Sequence, residues 1–185
     1  MFADFLDKIR TYDFAVYKFF YKDTSADPNL EYFYYFFARY GILIPFFAFI
    51  YLIWTKKINA LICSFLAMFF GGLVDLLIYL AWKRPRPYVT HASIASDINV
   101  SKLNVDSASF PSSHTYIAFA IATSIFLYGH KKLGALLFLV AIGVAIGRIG
   151  TGLHYPSDVI AGAFLGIASG IVAYLVVHKA EKSWG

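Results

Sequence analysis

The 185-residue chain is 59% hydrophobic and 19% aromatic, with only 15% charged residues, and its mean hydropathy is +0.64. That is far too apolar for a soluble domain of this length and reads as an integral membrane protein with room for one membrane-embedded domain over residues 1–185. The formal charge of +5 does not mark a nucleic-acid binder, because the basic residues cluster at the ends of apolar runs, where membrane topology accounts for them.

Residues 1–22 come first. Phe2, Phe5, Leu6, Ile9, Val16, Phe19 and Phe20 recur near a helical period, with Asp7, Lys8, Arg10 and Lys18 between them, which predicts an amphipathic helix lying at the membrane interface. The charges at Asp4, Asp7, Lys8 and Arg10 also argue against a cleavable signal peptide.

A hydrocarbon core of about 30 Å takes about 20 helical residues. Five stretches approach that length: 32–54, 58–82, 114–130, 132–150 and 155–178. The expected fold is therefore all-α, a polytopic transmembrane bundle of five helices, or six if the N-terminal helix also crosses. Arg39 and Asp75 fall at matching depths in the first two spans, and a structural ion pair between them is expected. Cys63 is the single cysteine, so it is read as packing. Gly162, Gly166 and Gly170 repeat every four residues along the last span, a spacing that suits close packing against another helix of the same chain better than a homodimer seam. His91, His130 and His178 share no ligand spacing and are read as solvated.

Lys56, Lys57, Lys131, Lys132, Lys179 and Lys182 all fall on one face of this arrangement, which the positive-inside rule makes cytoplasmic. The loop 83–113 and the turn 150–155 then share the opposite, outer, periplasm-like face. Three polar groups converge there: Lys83-Arg84-Pro85-Arg86-Pro87, Pro111-Ser112-Ser113-His114, and Arg148 with His154 and Asp158.

Singly, each has a bland explanation: snorkelling arginines, a capping histidine, a carboxylate complementing a helix dipole. Together, at three helix ends on one side of the membrane, they read as a phosphate-handling site. Pro156 suits a first helical turn, which puts Asp158 one turn beyond His154, within reach of an imidazole nitrogen whose tautomer and basicity it would set. His154 is then a nucleophile, and His114 is placed to protonate a leaving oxygen. Arg86 and Arg148 offer planar forks for phosphate, and the backbone N–H groups of Ser113 and His114 offer further anion binding. No metal or other cofactor is expected, since the remaining carboxylates on this face are chiefly Asp97 and Asp106 against a surplus of arginine.

These residues resemble the three signatures of the type 2 phosphatidic acid phosphatase superfamily, which includes the vanadium haloperoxidases: Lys-x6-Arg-Pro, Pro-Ser-Gly-His and Ser-Arg-x5-His-x3-Asp. Arg86-Pro87 matches the end of the first, Pro111 to His114 the second, and Arg148 through His154 to Asp158 the third. The chain departs from the patterns at Tyr79 in place of the lysine, Ser113 in place of the glycine and Gly147 in place of the serine. The resemblance implies His154 as nucleophile, Asp158 as its partner, His114 as general acid, and Arg86, Arg148 and Ser112 as phosphate ligands, with Lys83 or Arg84 replacing the missing lysine. It implies a membrane lipid phosphatase working through a phosphohistidine, with undecaprenyl diphosphate as first substrate and lipid A 1-phosphate or phosphatidylglycerol phosphate as alternatives. A lipid or ion transporter is the alternative from another class. The resemblance implies a multi-pass protein of the bacterial inner membrane with its site facing the periplasm or outside; its expected partners are a membrane lipid phosphate and the bilayer, with no nucleic acid, and the oligomeric state, a monomer included, is left open.

Overall fold

The structure, a computed structural model, describes residues 2–91 and 108–184. The expectations attached to Asp97 and Asp106 lie outside the described residues. Among the described residues eight helices follow in order: α1 (Phe2–Ala26), α2 (Pro28–Arg39), α3 (Leu43–Trp54), α4 (Ile58–Ala81), α5 (Pro87–Thr90), α6 (Ser113–Leu127), α7 (Lys131–Gly150) and α8 (Pro156–Trp184).

The expected N-terminal helix is present as α1. Asp27 then caps α2, its side chain accepting the N–H of Asn29 at 2.9 Å with Pro28 at the first helical position, where a missing N–H costs nothing. The expected first span is not one helix. It is a pair, α2 and α3, bent by 51°. Pro45 cannot donate to the helical ladder, and around Gly41 the chain makes short-range bonds instead, Leu43 N–H to Tyr40 and Ile44 N–H to Gly41. A Cβ at Gly41 would stand 2.8 Å from Val144 Cγ2, so the bend is also where this pair presses against α7.

Among the described residues three helices, α4, α7 and α8, are long and apolar enough to cross a membrane, and the bent pair supplies a fourth crossing if it acts as one span. The expected span at 114–130 forms the shorter helix α6, 15 residues or about 22 Å. It sits at the centre, packed by α4, α7 and α8, and every residue from Ala118 to Ile125 is buried. The outer helices present bulky apolar side chains to the surroundings, among them Trp54, Leu77, Leu139 and Phe164, as lipid contact requires. The protein is thus a multi-pass membrane protein.

Lipid gives helices little hydrophobic reason to associate, so small residues that permit close approach carry the packing. The Gly162, Gly166 and Gly170 row does this against α6 within the chain: a Cβ at Gly162 would lie 2.7 Å from Ser112 O, one at Gly170 2.7 Å from Thr123 Cβ, and one at Gly166 would strike Tyr116 O. Gly166→Ala is therefore expected to lower the thermal midpoint in detergent, because overpacking costs about 1–3 kcal/mol. An unchanged midpoint would show a looser seam.

At one end of the bundle Lys56, Lys57, Asn59 and His130 line a cleft, and Asn59 bonds to Glu181. The 83–91 segment, residues 108–112 and the 151–155 turn meet at the other end. The Arg39–Asp75 ion pair does not form. Asp75 accepts a bond from Ser113 Oγ at 2.9 Å, while Arg39 is exposed and lies over the Tyr40 ring, its guanidinium carbon 5.8 Å from the centroid. Equal depth did not make them neighbours, because α2 packs on α7 rather than on α4.

Candidate active site

α7 ends at Gly150, and the chain turns through Gly152 at φ +69°, a left-handed conformation that glycine adopts without cost. The Arg148 carbonyl accepts both Leu153 N–H and His154 N–H at 3.2 Å. Pro156 then opens α8, and Asp158 in its first turn reaches back to accept Tyr155 N–H at 2.8 Å, in the manner of a capping box.

This turn holds the His154 ring, 2% exposed, between three partners. Nδ1 lies 2.7 Å from the carbonyl of Ser109. A carbonyl only accepts, so Nδ1 carries the proton and Nε2 keeps its lone pair. Nε2 accepts N–H groups from Arg86 and Arg148, each at 3.1 Å. Burial, with the charges of Arg148 and Arg86, holds the imidazole well below its ordinary pKa. It is neutral at neutral pH, with the lone pair of Nε2 directed at two guanidinium groups.

The direct Asp158–His154 hydrogen bond expected from their spacing is not made. Asp158 Oδ2 stands 3.7 Å from Nδ1, because its oxygens serve the helix start and its neighbours: Tyr155 N–H, Ser109 Oγ at 2.5 Å and Arg84 at 2.6 Å. Asp158 acts on the ring through Ser109, whose hydroxyl it holds and whose carbonyl fixes the tautomer. Ser109, fully buried, was not singled out by sequence reasoning, because the group that matters is a backbone oxygen any residue carries.

The two arginines on Nε2 are themselves anchored. Arg86 also donates to the carbonyls of Leu153 and Ala108 at 2.9 and 3.1 Å. Arg148 donates to the carbonyl of Ala38 at 3.2 Å, and its Nε is buried with no partner among the described residues. His114, in the first turn of α6, is within electrostatic reach of Arg86, Arg148 and His154. Ser112 is buried, with its N–H on the Asp158 carbonyl and its hydroxyl accepting from Thr115. Ser113 turns its hydroxyl to Asp75.

Arg84 and Lys83 are placed elsewhere. Arg84 bonds to Asp158, Ser157 and Asp13, and Lys83 is exposed, its ammonium 5.3 Å from the centre of the Tyr79 ring. Neither meets Nε2. Asp13, 4% exposed, is the second residue sequence reasoning passed over. His91, expected in solvent, packs against Phe14 with ring centres 4.2 Å apart.

Residues 60–182 match the PAP2 superfamily. The bacitracin transport permease protein BcrC of Bacillus licheniformis is 46% identical over 84 residues, 44% of this chain and 40% of that protein. The undecaprenyl-diphosphatase BcrC of Bacillus subtilis (strain 168) is 32% identical over 104 residues, 56% of this chain and 51% of that protein. The chain thus spans about half the length of these curated relatives or less. The crystal structure of Aquifex aeolicus LpxE aligns with a TM-score of 0.64 and 25% identity, covering 86% of this chain and 93% of that one.

Proposed function

The chain belongs to the PAP2 superfamily, and on that premise we propose that it is a membrane lipid phosphatase that removes the terminal phosphate of a lipid phosphate or diphosphate. The observation that carries the reading is His154 Nε2, unprotonated and met by two guanidinium groups at 3.1 Å. A phosphoryl group approaching Nε2 takes over those N–H donors, which match its oxygens and the charge that spreads over them. The Nε2 lone pair attacks phosphorus, the phosphorus–oxygen bond to the lipid side breaks, and His114 gives the departing oxygen a proton. Water then attacks the phosphohistidine, His114 takes its proton, inorganic phosphate leaves and His154 is restored. Ser112 and the N–H groups of Ser113 and His114 at the start of α6 add anion binding.

Undecaprenyl diphosphate is the first substrate, supported by the name of the Bacillus subtilis relative. A lipid A phosphate is the alternative, supported by a lipid A 4'-phosphatase of Bacteroides thetaiotaomicron, 35% identical over 71 residues. In this reading the site opens on the outer face of the bacterial inner membrane, with α1 at the interface and the lysine-lined cleft in the cytoplasm. The name of the Bacillus licheniformis relative favours a second reading, transport. The two differ in product.

The deciding experiment presents the purified chain in detergent with undecaprenyl diphosphate, lipid A phosphates and phosphatidylglycerol phosphate, with and without EDTA. Phosphate release is expected, fastest from undecaprenyl diphosphate, and undiminished by EDTA because guanidinium groups neutralise the phosphate. No release from any lipid, with flux across proteoliposomes, would favour transport; loss in EDTA restored by magnesium would overturn the mechanism.

A further inference from the structure

α1 lies outside the residues that match the family, yet it delivers a buried carboxylate to the site. Each oxygen of Asp13 is used: Oδ1 accepts Ser157 N–H at 2.9 Å, and Oδ2 accepts Arg84 at 2.7 Å and Ser157 Oγ at 2.5 Å. The first bond caps α8 from another helix, satisfying an N–H at its opening turn. The second matters more. Arg84 uses one terminal nitrogen for Asp13 and the other for Asp158, at 2.7 and 2.6 Å, so one planar group spans two carboxylates and sets their spacing.

The guanidinium also lies over the Tyr155 ring, 4.2 Å from its centre, and Tyr155 OH is tied to Thr90 at 2.6 Å. One turn beyond Asp13, Tyr17 packs on Tyr155 with ring centres 6.1 Å apart, and Phe14 packs on His91. α1 therefore grips both segments that flank Arg84. A bond chain leads from there to the reacting atom: Arg84 to Asp158, Asp158 to Ser109 Oγ, Ser109 carbonyl to His154 Nδ1.

We propose that Asp13 is a positioning residue for the phosphatase reaction, acting through Arg84 and Asp158 to hold His154 in line and keeping Arg84 engaged away from the phosphate. The inference rests on the phosphatase reading above. A carboxylate that only docked α1 would need neither the shared guanidinium nor the bond to Ser157 N–H.

The test compares wild type, Asp13→Asn and Asp13→Glu on undecaprenyl diphosphate, and titrates each with vanadate to count competent sites. For Asp13→Asn, kcat is expected to fall at least about tenfold, with KM within about twofold and full vanadate capacity, because the amide keeps the shape and loses the charge that holds Arg84. Asp13→Glu should recover most of the rate. A purely structural role would instead lower vanadate capacity in proportion to rate, and that result overturns the proposal, as does wild-type kcat in Asp13→Asn. If Asp13→Asn does not fold, Arg84→Lys decides, because an ammonium cannot span the two carboxylates that the guanidinium joins: a kcat lowered several-fold at full vanadate capacity supports the proposal, and an unchanged kcat overturns it. Wild type that releases no phosphate sinks the phosphatase reading and this inference with it, whereas wild-type turnover with an unimpaired Asp13→Asn sinks the inference alone.

Discussion

His154→Ala is expected to lower phosphate release by at least about 10³-fold, a barrier increase of about 4 kcal/mol. The ring is enclosed by Ser109, Arg86 and Arg148, and it offers an unprotonated nitrogen that faces both guanidinium groups. Alanine removes the nucleophile and the covalent route with it. The fold should survive, because the ring's partners are carbonyls and arginines that remain anchored to Leu153, Ala108 and Ala38. Turnover measured against thermal midpoint separates the two effects. Retention of more than about a tenth of the wild-type rate with an intact midpoint would remove His154 from the mechanism.

Arg148→Lys is expected to have the next largest effect, a fall of about 10²- to 10³-fold in kcat, comparable to losing a preorganised donor at a developing charge. Arg148 reaches the Ala38 carbonyl with one terminal nitrogen and His154 Nε2 with the other. An ammonium is a single point on a flexible stem and cannot make both contacts at once. The substitution keeps the charge, so steady-state rates with an activated aryl phosphate read the geometry of the fork rather than the presence of a cation. A rate within about tenfold of wild type would mean that charge alone suffices there.

The residues proposed to bring chemistry to this site were legible because they are expensive. Arg86, Arg148, His114, His154 and Asp158 stand at the ends of apolar segments, and three motifs with fixed spacing locate them. The helices that carry them were legible from apolar run length. What escaped the sequence depends on direction rather than depth or period. The Arg39–Asp75 pairing followed from equal depth, yet packing of α2 on α7 and of Asp75 against Ser113 decides the outcome. The bend between α2 and α3 had its signals in Gly41 and Pro45, hidden inside a continuous apolar run.

Asp13 was invisible for a related reason. It sits among Asp7, Lys8, Arg10 and Lys18 on a helix that reads as amphipathic, and nothing in the period says that this one carboxylate faces inward while Phe19 faces out. Ser109 contributes a carbonyl, which no side-chain motif records. The spacing of His154 and Asp158 correctly placed them one turn apart, but the cap at Tyr155 N–H takes the oxygen that spacing alone assigned to the imidazole.

The central claim is that His154 carries the phosphoryl group. It is tested most directly by mixing the purified protein with lipid diphosphate labelled in its terminal phosphate and quenching in alkali on the millisecond scale, where a phosphohistidine survives. Wild type is expected to show labelled protein that forms before free phosphate accumulates, with the label on the peptide containing His154 and none in His154→Ala. Steady release of phosphate with no alkali-stable labelled protein at any time, or label that persists in His154→Ala, would contradict the account.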